Sequence, residues 1–428
     1  MNIFAKTNII VNNRYINKFL RIVPEALALK ILEKIRASRR EKALINHKEA
    51  FSKKKESGNI VIVFVVYKPQ LWNSLRTVYE AAVANDQVDA YVVVSPDESR
   101  LSDGSILKSF DFYKEECPGA INAVQDGSYF DVSTLNPDII FRQSPYDNAC
   151  PKEYSMANLA RVAKTCYVPY SYNYTPNHLH IEYNDCLLAN LYGLFSSCKT
   201  NYNYCVKEHN EYYPDLHVYY YGFPRFDIGR RMQNKSDGKN VIFTWVPRWS
   251  TDAVNNDGTS FFEYKDLLPE YFSNHPELNL IIRPHPSMFS HFISLGLMTE
   301  HEVDKYFERI QSIPNIHMDD NMDYLKTFEE TDVLIADMSS INYEFYLMGK
   351  PIIFCGDDTH YNAETKIMYE LLYKVKNWEE LQSEIEKLVN NQDPNHEVRL
   401  KDIDTAFNGL PDDIGKAVIE KCIEIVRG

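Results

Sequence analysis

The 428-residue chain lacks several patterns that would define its chemistry at once. It has no Gly-x-x-x-x-Gly-Lys phosphate loop and no Gly-x-Gly-x-x-Gly after its first predicted strand, which disfavours ATP hydrolysis and dinucleotide redox chemistry. Its eight cysteines form no Cys-x-x-Cys pair, and the sequence shows neither a signal peptide nor an apolar run of membrane-spanning length. No tight cluster of His, Asp and Cys indicates a structural metal. We therefore expect a cytoplasmic protein with reduced thiols, no metal and no cofactor.

Positive charge is scarce except at the start of the chain. The net charge is −14, but residues 1–58 contain 14 Lys and Arg against 5 Glu, so this segment carries +9 and the remainder −23. This distribution excludes a general nucleic-acid surface. Residues 24–55 predict a long basic helix with Pro24 in its first turn and partly periodic apolar positions. Such a helix could lie on an anionic membrane surface, at the inner face of the cell membrane, or pack on its own acidic protein; the sequence leaves both open.

Length and apolar runs indicate the fold class. A chain of 428 residues exceeds what one hydrophobic core usually holds. The run 60–66 predicts a buried strand, 72–84 a helix and 91–94 the next strand, which together open a β–α–β unit. We predict an α/β protein with a basic helical N-terminal extension at 1–58, a Rossmann-like doubly wound domain at 59–213 and a second one at 214–428.

Further runs of strand length recur along both predicted domains. In the first domain they are 137–141 and 166–170, with a helix predicted between them at 154–163. In the second domain they are 217–221, 241–245, 278–282, 333–336 and 351–354.

One strand of the second domain ends in groups that suit a phosphorylated ligand. Pro284 and Pro286 stop the strand after Ile282 and restrain His285 at its tip. A restrained imidazole suits charge neutralisation or proton donation at a bridging phosphate, and Arg283 offers a planar fork for phosphate oxygens. A structural or solvated histidine is the alternative. Because the carboxyl ends of parallel strands form the ligand-binding edge of a sheet, a second such ending could share the ligand.

That second ending follows the run 333–336. Ser339 and Ser340 stand where a helix should begin, so their hydroxyls and the helix start could hold a phosphate, or the serines could merely cap the helix. Asp337 could accept hydrogen bonds from a ligand or from the loop. Glu344 could reach ribose hydroxyls or occupy an ordinary solvated position.

Two more strand ends in this half present an arginine next to a proline. Arg248 follows Thr244 by four residues, and Arg225 follows Pro224. Each arginine could clamp phosphate or form a structural salt bridge, and Thr244 could add a hydroxyl.

Taken together, these segments resemble the CDP-glycerol glycerophosphotransferase family, the polyol phosphate transferases of teichoic-acid and capsule synthesis. The resemblance covers roughly residues 217–360. The motifs that carry it are Gly222–Asp227, Thr244–Arg248, Arg283–Pro286, Asp337–Ser340 and Lys350–Phe354. It implies a GT-B type fold of two Rossmann-like domains, with the nucleotide donor held by the second and the acceptor by the first.

The first domain departs from the family pattern. Teichoic-acid members usually carry a His-Gly-Thr-Pro element there, whose histidine is taken as a catalytic base, but the comparable region 168–173 contains no histidine. Asp147, His178 or His180 could replace it on the acceptor side, and the sequence does not choose among them.

The resemblance implies transfer of glycerol phosphate or ribitol phosphate from a CDP-linked donor to a hydroxyl of a cell-surface glycopolymer or its lipid-linked primer, with release of CMP. In that reaction His285 and Asp337 would act catalytically, and the other second-domain candidates would bind the donor. A glycosyltransferase that uses a nucleotide sugar and a noncatalytic membrane-associated scaffold are the alternatives.

Overall fold

The computed structural model describes residues 7–9, 11, 14–98, 105–172, 179–209, 212–232, 241–252, 258–321, 323–356 and 364–428, without the side chains of 14, 105–108 and 207–209. The chain divides into two compact units. One comprises Met1–Asp227 with Leu410–Gly428, and the other comprises Ile228–Gly409.

Strands and helices alternate through both units. The strands are β1 (Ile60–Val66), β2 (Val88–Val94), β3 (Ile121–Asn122), β4 (Val124–Gln125), β5 (Ser128–Tyr129), β6 (Ile139–Arg142), β7 (Lys164–Tyr167), β8 (Gly193–Ser196), β9 (His217–Tyr220), β10 (Ile242–Val246), β11 (Asn279–Ile282), β12 (Ile316–Met318), β13 (Val333–Ala336), β14 (Ile352–Phe354) and β15 (Tyr373–Lys374). The α-helices are α1 (Arg14–Ile22), α2 (Glu25–Ser52), α3 (Arg76–Val83), α4 (Ser105–Glu116), α5 (Met156–Leu159), α6 (Leu179–Glu182), α7 (Asp185–Leu188), α8 (Lys199–Asn203), α9 (Arg225–Met232), α10 (Phe261–Tyr264), α11 (Leu267–Ser273), α12 (Met288–Ser294), α13 (Glu300–Gln311), α14 (Tyr324–Glu330), α15 (Ile341–Tyr346), α16 (Lys366–Leu371), α17 (Trp378–Val389), α18 (His396–Phe407) and α19 (Ile414–Arg427).

A parallel sheet forms the centre of the first unit. Its strand order is β3-β2-β1-β6-β7-β8-β9. The apolar run of β1 is buried along almost its whole length, as expected of a central parallel strand whose two faces are both covered. The strand order reverses between β1 and β6, so their carboxyl ends mark the topological switch point of this sheet.

A second parallel sheet forms the centre of the other unit. Its order is β12-β11-β10-β13-β14-β15. Phe243 and Trp245 of β10 share an aromatic-rich core with Phe261 and Phe272 of the helices. Here the order reverses between β10 and β13. The two doubly wound sheets confirm the predicted α/β class with two Rossmann-like domains.

The basic N-terminal helix is α2, which confirms the prediction of a long helix after Pro24. Along one face α2 packs on the first unit, where Arg39 Nη1 lies 3.0 Å from the fully buried carboxylate of Asp185. Arg36 is also buried, with its guanidinium 4.0 Å from the ring centroid of Tyr212. The opposite face exposes lysines at positions 30, 34, 42 and 48. One face of this helix therefore packs on the protein, and the opposite face is in solvent.

The last helix of the chain belongs to the first unit. The Asp227 carboxylate accepts hydrogen bonds from the backbone N–H groups of Ile414 (3.0 Å) and Gly415 (2.9 Å), at the start of α19. Gly415 lies directly on α3, since a Cβ built on it would stand 2.4 Å from the backbone oxygen of Thr77. The sequence alone assigns α19 to the segment 214–428, and the predicted boundaries after residues 58 and 213 stay predictions.

One predicted helix is much shorter than expected. The region 154–163 contains only α5, because the chain turns after Leu159 and enters the buried strand β7 at Lys164. Within the described ranges, no helix is both long and apolar enough to cross a membrane.

Candidate functional site

Three loops meet at the carboxyl edge of the second sheet, where the strand order reverses. The loop after β11 is tied to the neighbouring loop after β10, because His285 N–H donates to the Pro247 carbonyl at 3.3 Å. The β10 loop is tied in turn to the loop after β13, because Arg248 Nη1 donates to the Met338 carbonyl at 2.8 Å. The histidine and the serine pair predicted from the sequence, Ser339 and Ser340, therefore lie at one edge of one sheet, with the β10 loop between their strands.

Asp337 is the acceptor that joins two of these loops. Its side chain is buried and accepts from the backbone N–H groups of Arg248 (2.7 Å) and Ser260 (3.0 Å) and from the hydroxyl of Thr259 (3.3 Å). Burial raises the pKa of this carboxyl group, although the donors from Ser260, Arg248 and Thr259 act in the opposite direction. With its oxygens engaged in this way, Asp337 shapes the edge on which a ligand would rest.

His285 is exposed at the tip of its loop, between the two prolines. Its Nδ1 accepts a hydrogen bond from the backbone N–H of Ser287 at 3.1 Å. Because a backbone amide only donates, Nδ1 carries a lone pair there and the proton of the neutral ring sits on Nε2. This contact favours the tautomer of the neutral imidazole that carries its proton on Nε2.

Arg283 makes its contacts inside the same unit. Its Nη1 lies 2.5 Å from the Asp319 carboxylate, and its Nη2 donates to the Asn321 carbonyl at 2.9 Å. Burial alone would raise the pKa of Asp319, but Arg283 and the hydrogen bonds from Thr327 and Asn321 outweigh it, and the net pKa is lowered. These contacts hold the loop after β12 beside the β11 loop.

The serine pair precedes α15, as the sequence predicts. Ser340 occupies the N-cap position with helical backbone angles, and its side chain makes no capping hydrogen bond. The Ser339 hydroxyl oxygen lies 3.5 Å from the N–H of Ile341, a long contact. Both serines are half-buried. Glu344 is buried inside α15, where its carboxylate accepts from the Tyr324 hydroxyl.

The remaining donor-binding candidates make structural contacts. Thr244 is completely buried within β10, and its hydroxyl lies 2.6 Å from that of Thr331. Arg225 belongs to the first unit, where its buried guanidinium donates to the Tyr170 carbonyl at 2.8 Å and lies over the ring of Phe223. Their predicted roles in donor binding stay predictions.

The acceptor-side candidates belong to the first unit or fall outside the description. Asp147 follows β6 at the switch point of the first sheet, where its carboxylate pairs with the buried Arg142 and accepts from the Met156 N–H at 3.0 Å. His180 is half-buried in α6, and His178 lies outside the described residues.

The sequence analysis did not predict an open pocket of about 470 Å³ next to His285. Its lining residues are Trp249, His285, Ser287, Ser290, His291 and Ser294. The signal was present, because positions 287, 290, 291 and 294 have the spacing of one helix face. Within the described ranges, no group of three or more His, Cys, Asp and Glu side chains is placed to hold a metal ion.

Comparisons with known proteins agree with this architecture. The family model described as CDP-glycerol:poly(glycerophosphate) glycerophosphotransferase matches residues 209–413. A structure of the wall teichoic acid polymerase TagF aligns with a TM-score of 0.51 and 15% identity over 92% of this chain and 94% of that one. A putative UDP-N-acetylglucosamine 2-epimerase from Listeria monocytogenes aligns with a TM-score of 0.55 and 14% identity over 86% and 96% of the two chains. The UDP-GlcNAc 2-epimerase from Neisseria meningitidis aligns with a TM-score of 0.54 and 10% identity over 85% of this chain and 100% of that one. A comparison with curated proteins found no sequence match.

At these low identities the solved structures show the fold, which is of the GT-B type with two Rossmann-like domains. The family match adds the class of reaction, because it covers the three loops at the edge of the second sheet. Residues 209–413, just under half of the chain, are therefore similar to the CDP-glycerol:poly(glycerophosphate) glycerophosphotransferase family, and this match supports an enzyme of that polyol phosphate transferase class.

Proposed function

We propose that this enzyme transfers glycerol phosphate or ribitol phosphate from a CDP-linked donor to a hydroxyl of a cell-surface glycopolymer or its lipid-linked primer. The acceptor oxygen forms a bond to the polyol-bearing phosphorus, and the bond from that phosphorus to the bridging oxygen breaks. The electron pair of the broken bond leaves with CMP. Such a reaction asks the protein mainly for alignment and charge stabilisation.

The observation that carries this proposal is the convergence of the β10, β11 and β13 loops at one sheet edge. His285, Arg248 and the pair Ser339–Ser340 come from these three different loops, which the hydrogen bonds from His285 N–H and Arg248 tie together. An imidazole, a guanidinium and two hydroxyls at the edge where open sheets bind ligands form a set of donors suited to a diphosphate.

In this proposal His285 faces the leaving phosphate. In the tautomer that the Ser287 N–H contact favours, Nε2–H would donate to the bridging oxygen as negative charge develops there. Arg248 and the two serines would hold the non-bridging oxygens of the diphosphate. Asp337 would act as a positioning residue, because its carboxylate holds the Arg248 backbone in place.

Three of the other donor-side candidates make structural contacts inside the second unit. Arg283 anchors the β12 loop through Asp319, Glu344 accepts a hydrogen bond from the Tyr324 hydroxyl, and the Thr244 hydroxyl is hydrogen-bonded to that of Thr331. On the acceptor side we propose Asp147, His178 and His180 as candidates for the base. Asp147 would have to loosen its ion pair with Arg142 to take a proton.

Product analysis tests the reaction. Wild-type protein incubated with CDP-glycerol or CDP-ribitol and a lipid-linked primer should release CMP, whereas glycosyl transfer from a nucleotide diphosphosugar would release a nucleoside diphosphate. His285→Ala should lower turnover by about 100-fold, the scale of losing one charge-stabilising donor. His301→Ala, an exposed histidine on α13, serves as the matched control. Full turnover of the His285→Ala enzyme would contradict the assigned role.

We also propose that the N-terminal helices dock on an anionic membrane surface, at the inner face of the cell membrane. On α1, Tyr15, Phe19 and Ile22 recur at helical spacing on one face and are 85%, 47% and 75% exposed. Exposed basic residues lie beside them at Lys18 and Arg21. An apolar face flanked by cations is the pattern of a helix that lies in a membrane interface.

Vesicle sedimentation tests this docking without disturbing the packed face of α2. Phe19→Ser combined with Ile22→Ser should weaken binding to vesicles that contain anionic lipid, because both apolar side chains are lost from the interface. Val398→Ser, at a 53% exposed position of the second unit, is the control. Equal binding of both variants and the wild type would remove this proposal.

A further inference from the structure

We propose that the pocket beside His285, hereafter the Trp249 pocket, binds the polyol phosphate part of a substrate. The proposal rests on the proposed function and deepens it, because it names the group that the pocket takes. The pocket has a volume of about 470 Å³, within the range of about 300–1,000 Å³ typical of small-molecule sites.

The walls of the Trp249 pocket come from the β10 loop, the β11 loop and helix α12. Trp249 projects from the β10 loop and meets His291 of α12 edge to face, with ring centroids 5.1 Å apart and an interplanar angle of 82°. The ring centroid of Trp249 lies 6.1 Å from that of His285. Ser290 and Ser294 stand on the same helix face as His291 and are exposed. The pocket therefore has an aromatic wall and a hydroxyl-bearing wall.

The polar groups of the pocket suit a ligand that has both hydroxyls and a phosphate. The Ser290 hydroxyl donates to the Ser287 carbonyl at 3.1 Å, and the Ser294 hydroxyl donates to the His291 carbonyl at 2.7 Å. Because each serine uses its proton in this way, its oxygen is an acceptor for the hydroxyls of a polyol. Imidazole N–H groups are donors for phosphate oxygens, and an indole packs well against C–H groups.

The charge of the lining points in the same direction. None of the described residues that line the pocket is a carboxylate, in a chain whose net charge is −14. An anionic ligand therefore meets no like charge in the lining itself. Since His285 belongs both to this pocket and to the edge with the serine pair, a polyol phosphate held here would lie beside the proposed reaction centre.

Two substrates offer this group, the CDP-linked donor and the terminal unit of a polyol phosphate acceptor chain. Ser290→Asp places a carboxylate in the pocket, and Ser290→Asn is its uncharged isostere. We expect Ser290→Asp to raise KM about tenfold through repulsion of the phosphate, and Ser290→Asn, which loses the hydroxyl but adds no charge, to raise it by a smaller factor. Ser273→Asp is the matched control, since this exposed serine makes the same hydroxyl contact three residues back on α11.

Separate KM measurements for the donor and for the acceptor distinguish the two substrates. A rise confined to the KM of CDP-glycerol assigns the pocket to the donor, and a rise confined to the KM of the acceptor assigns it to the growing chain. Equal KM values for Ser290→Asp and Ser290→Asn with both substrates would overturn the proposal, as would an equal effect of Ser273→Asp. Ser294→Asp repeats the test from a second position.

A direct binding measurement keeps this proposal separate from the proposed reaction. If the wild type releases no CMP, the proposed function fails, and calorimetry with glycerol 3-phosphate still tests the pocket. Binding by the wild type that weakens about tenfold in Ser290→Asp but persists in Ser290→Asn supports it. No binding by the wild type, or equal binding by all three proteins, would overturn it.

Discussion

At the scale of single residues, Asp337 is the buried acceptor that joins two loops of the candidate site. Its carboxylate accepts from two backbone N–H groups and one hydroxyl while almost completely buried. Asp337→Asn would turn an NH₂ group toward donors at one of its two positions, leaving them unsatisfied. We expect a loss of about 2 kcal/mol in the free energy of unfolding and a lower kcat, because the backbone of Arg248 loses its anchor. Urea titration and CMP release measure the two effects.

A nearby exposed residue supplies the control for this prediction. Asp320→Asn, in the β12 loop, should change neither quantity, since its side chain is in solvent. If the Asp337→Asn variant has the same free energy of unfolding as the wild type, the carboxylate does not hold the loops.

The sequence could predict that Asp337 ends a buried strand but not what its carboxylate contacts. Ser260 precedes Asp337 by 77 residues, and no local pattern connects them. The same holds for Glu344, since α15 places it against Tyr324 rather than toward solvent. Positions at strand ends follow from the chain's own periodicity, whereas side-chain partners depend on tertiary packing.

At the scale of elements, helix α2 depends on one buried carboxylate. Asp185 is fully buried, lies 3.0 Å from Arg39 and accepts a hydrogen bond from the Tyr213 hydroxyl at 3.0 Å. Asp185→Asn would remove the buried carboxylate that Arg36 and Arg39 share. We expect about 3 kcal/mol less stability and faster hydrogen exchange along α2. Glu33→Gln is the control, because Glu33 pairs with Arg36 from the exposed side, and exchange as fast as in Asp185→Asn would contradict this account.

The contact between α19 and α3 depends on a residue without a side chain. Gly415→Ala would place a Cβ 2.4 Å from the Thr77 carbonyl oxygen, so the helices must move apart. We expect about 2 kcal/mol of destabilisation, seen as a lower thermal midpoint. Gly229→Ala in α9 is the matched control, since its Cβ would meet Leu347 at an ordinary 3.7 Å. Equal midpoints for the two variants would contradict the predicted clash.

Elements with a continuous apolar or periodic pattern were predictable from the sequence. The 28 residues of α2 and the seven of β1 follow from long periodic or β-branched runs. Strands β8 and β12 have four and three residues and, unlike the equally short β13 and β14, their sequences Gly-Leu-Phe-Ser and Ile-His-Met are not continuous apolar runs. The placement of α19 on the first unit arises from the Asp227 contact and could not follow from chain order.

At the scale of the whole molecule, stability depends on pH through two kinds of carboxyl group, one with a raised pKa and one with a lowered pKa. Their effects on stability have opposite signs as the pH changes. Burial raises the pKa of Asp337, so its contribution to stability is present at low pH and is lost as pH rises through its folded pKa. For Asp319 the lowered pKa has the reverse effect. Its contribution is present above the unfolded value of about 3.9 and is lost as pH falls through the folded pKa.

Asp393 provides the variant that isolates the second kind of group. Burial alone would raise its pKa, but hydrogen bonds from Arg399 and Tyr373 outweigh it and lower the net pKa. Asp393→Asn should therefore cost on the order of 2 kcal/mol at pH 7, where the wild-type carboxylate pairs with the buried arginine. The difference should shrink below about pH 4, as the wild-type group takes up its own proton. Urea titrations at pH 7 and pH 3 measure it, with Asp404→Asn on the exposed side of α18 as the control. A difference that stays constant between these pH values would mean that the ionised form of Asp393 gives the fold no stability.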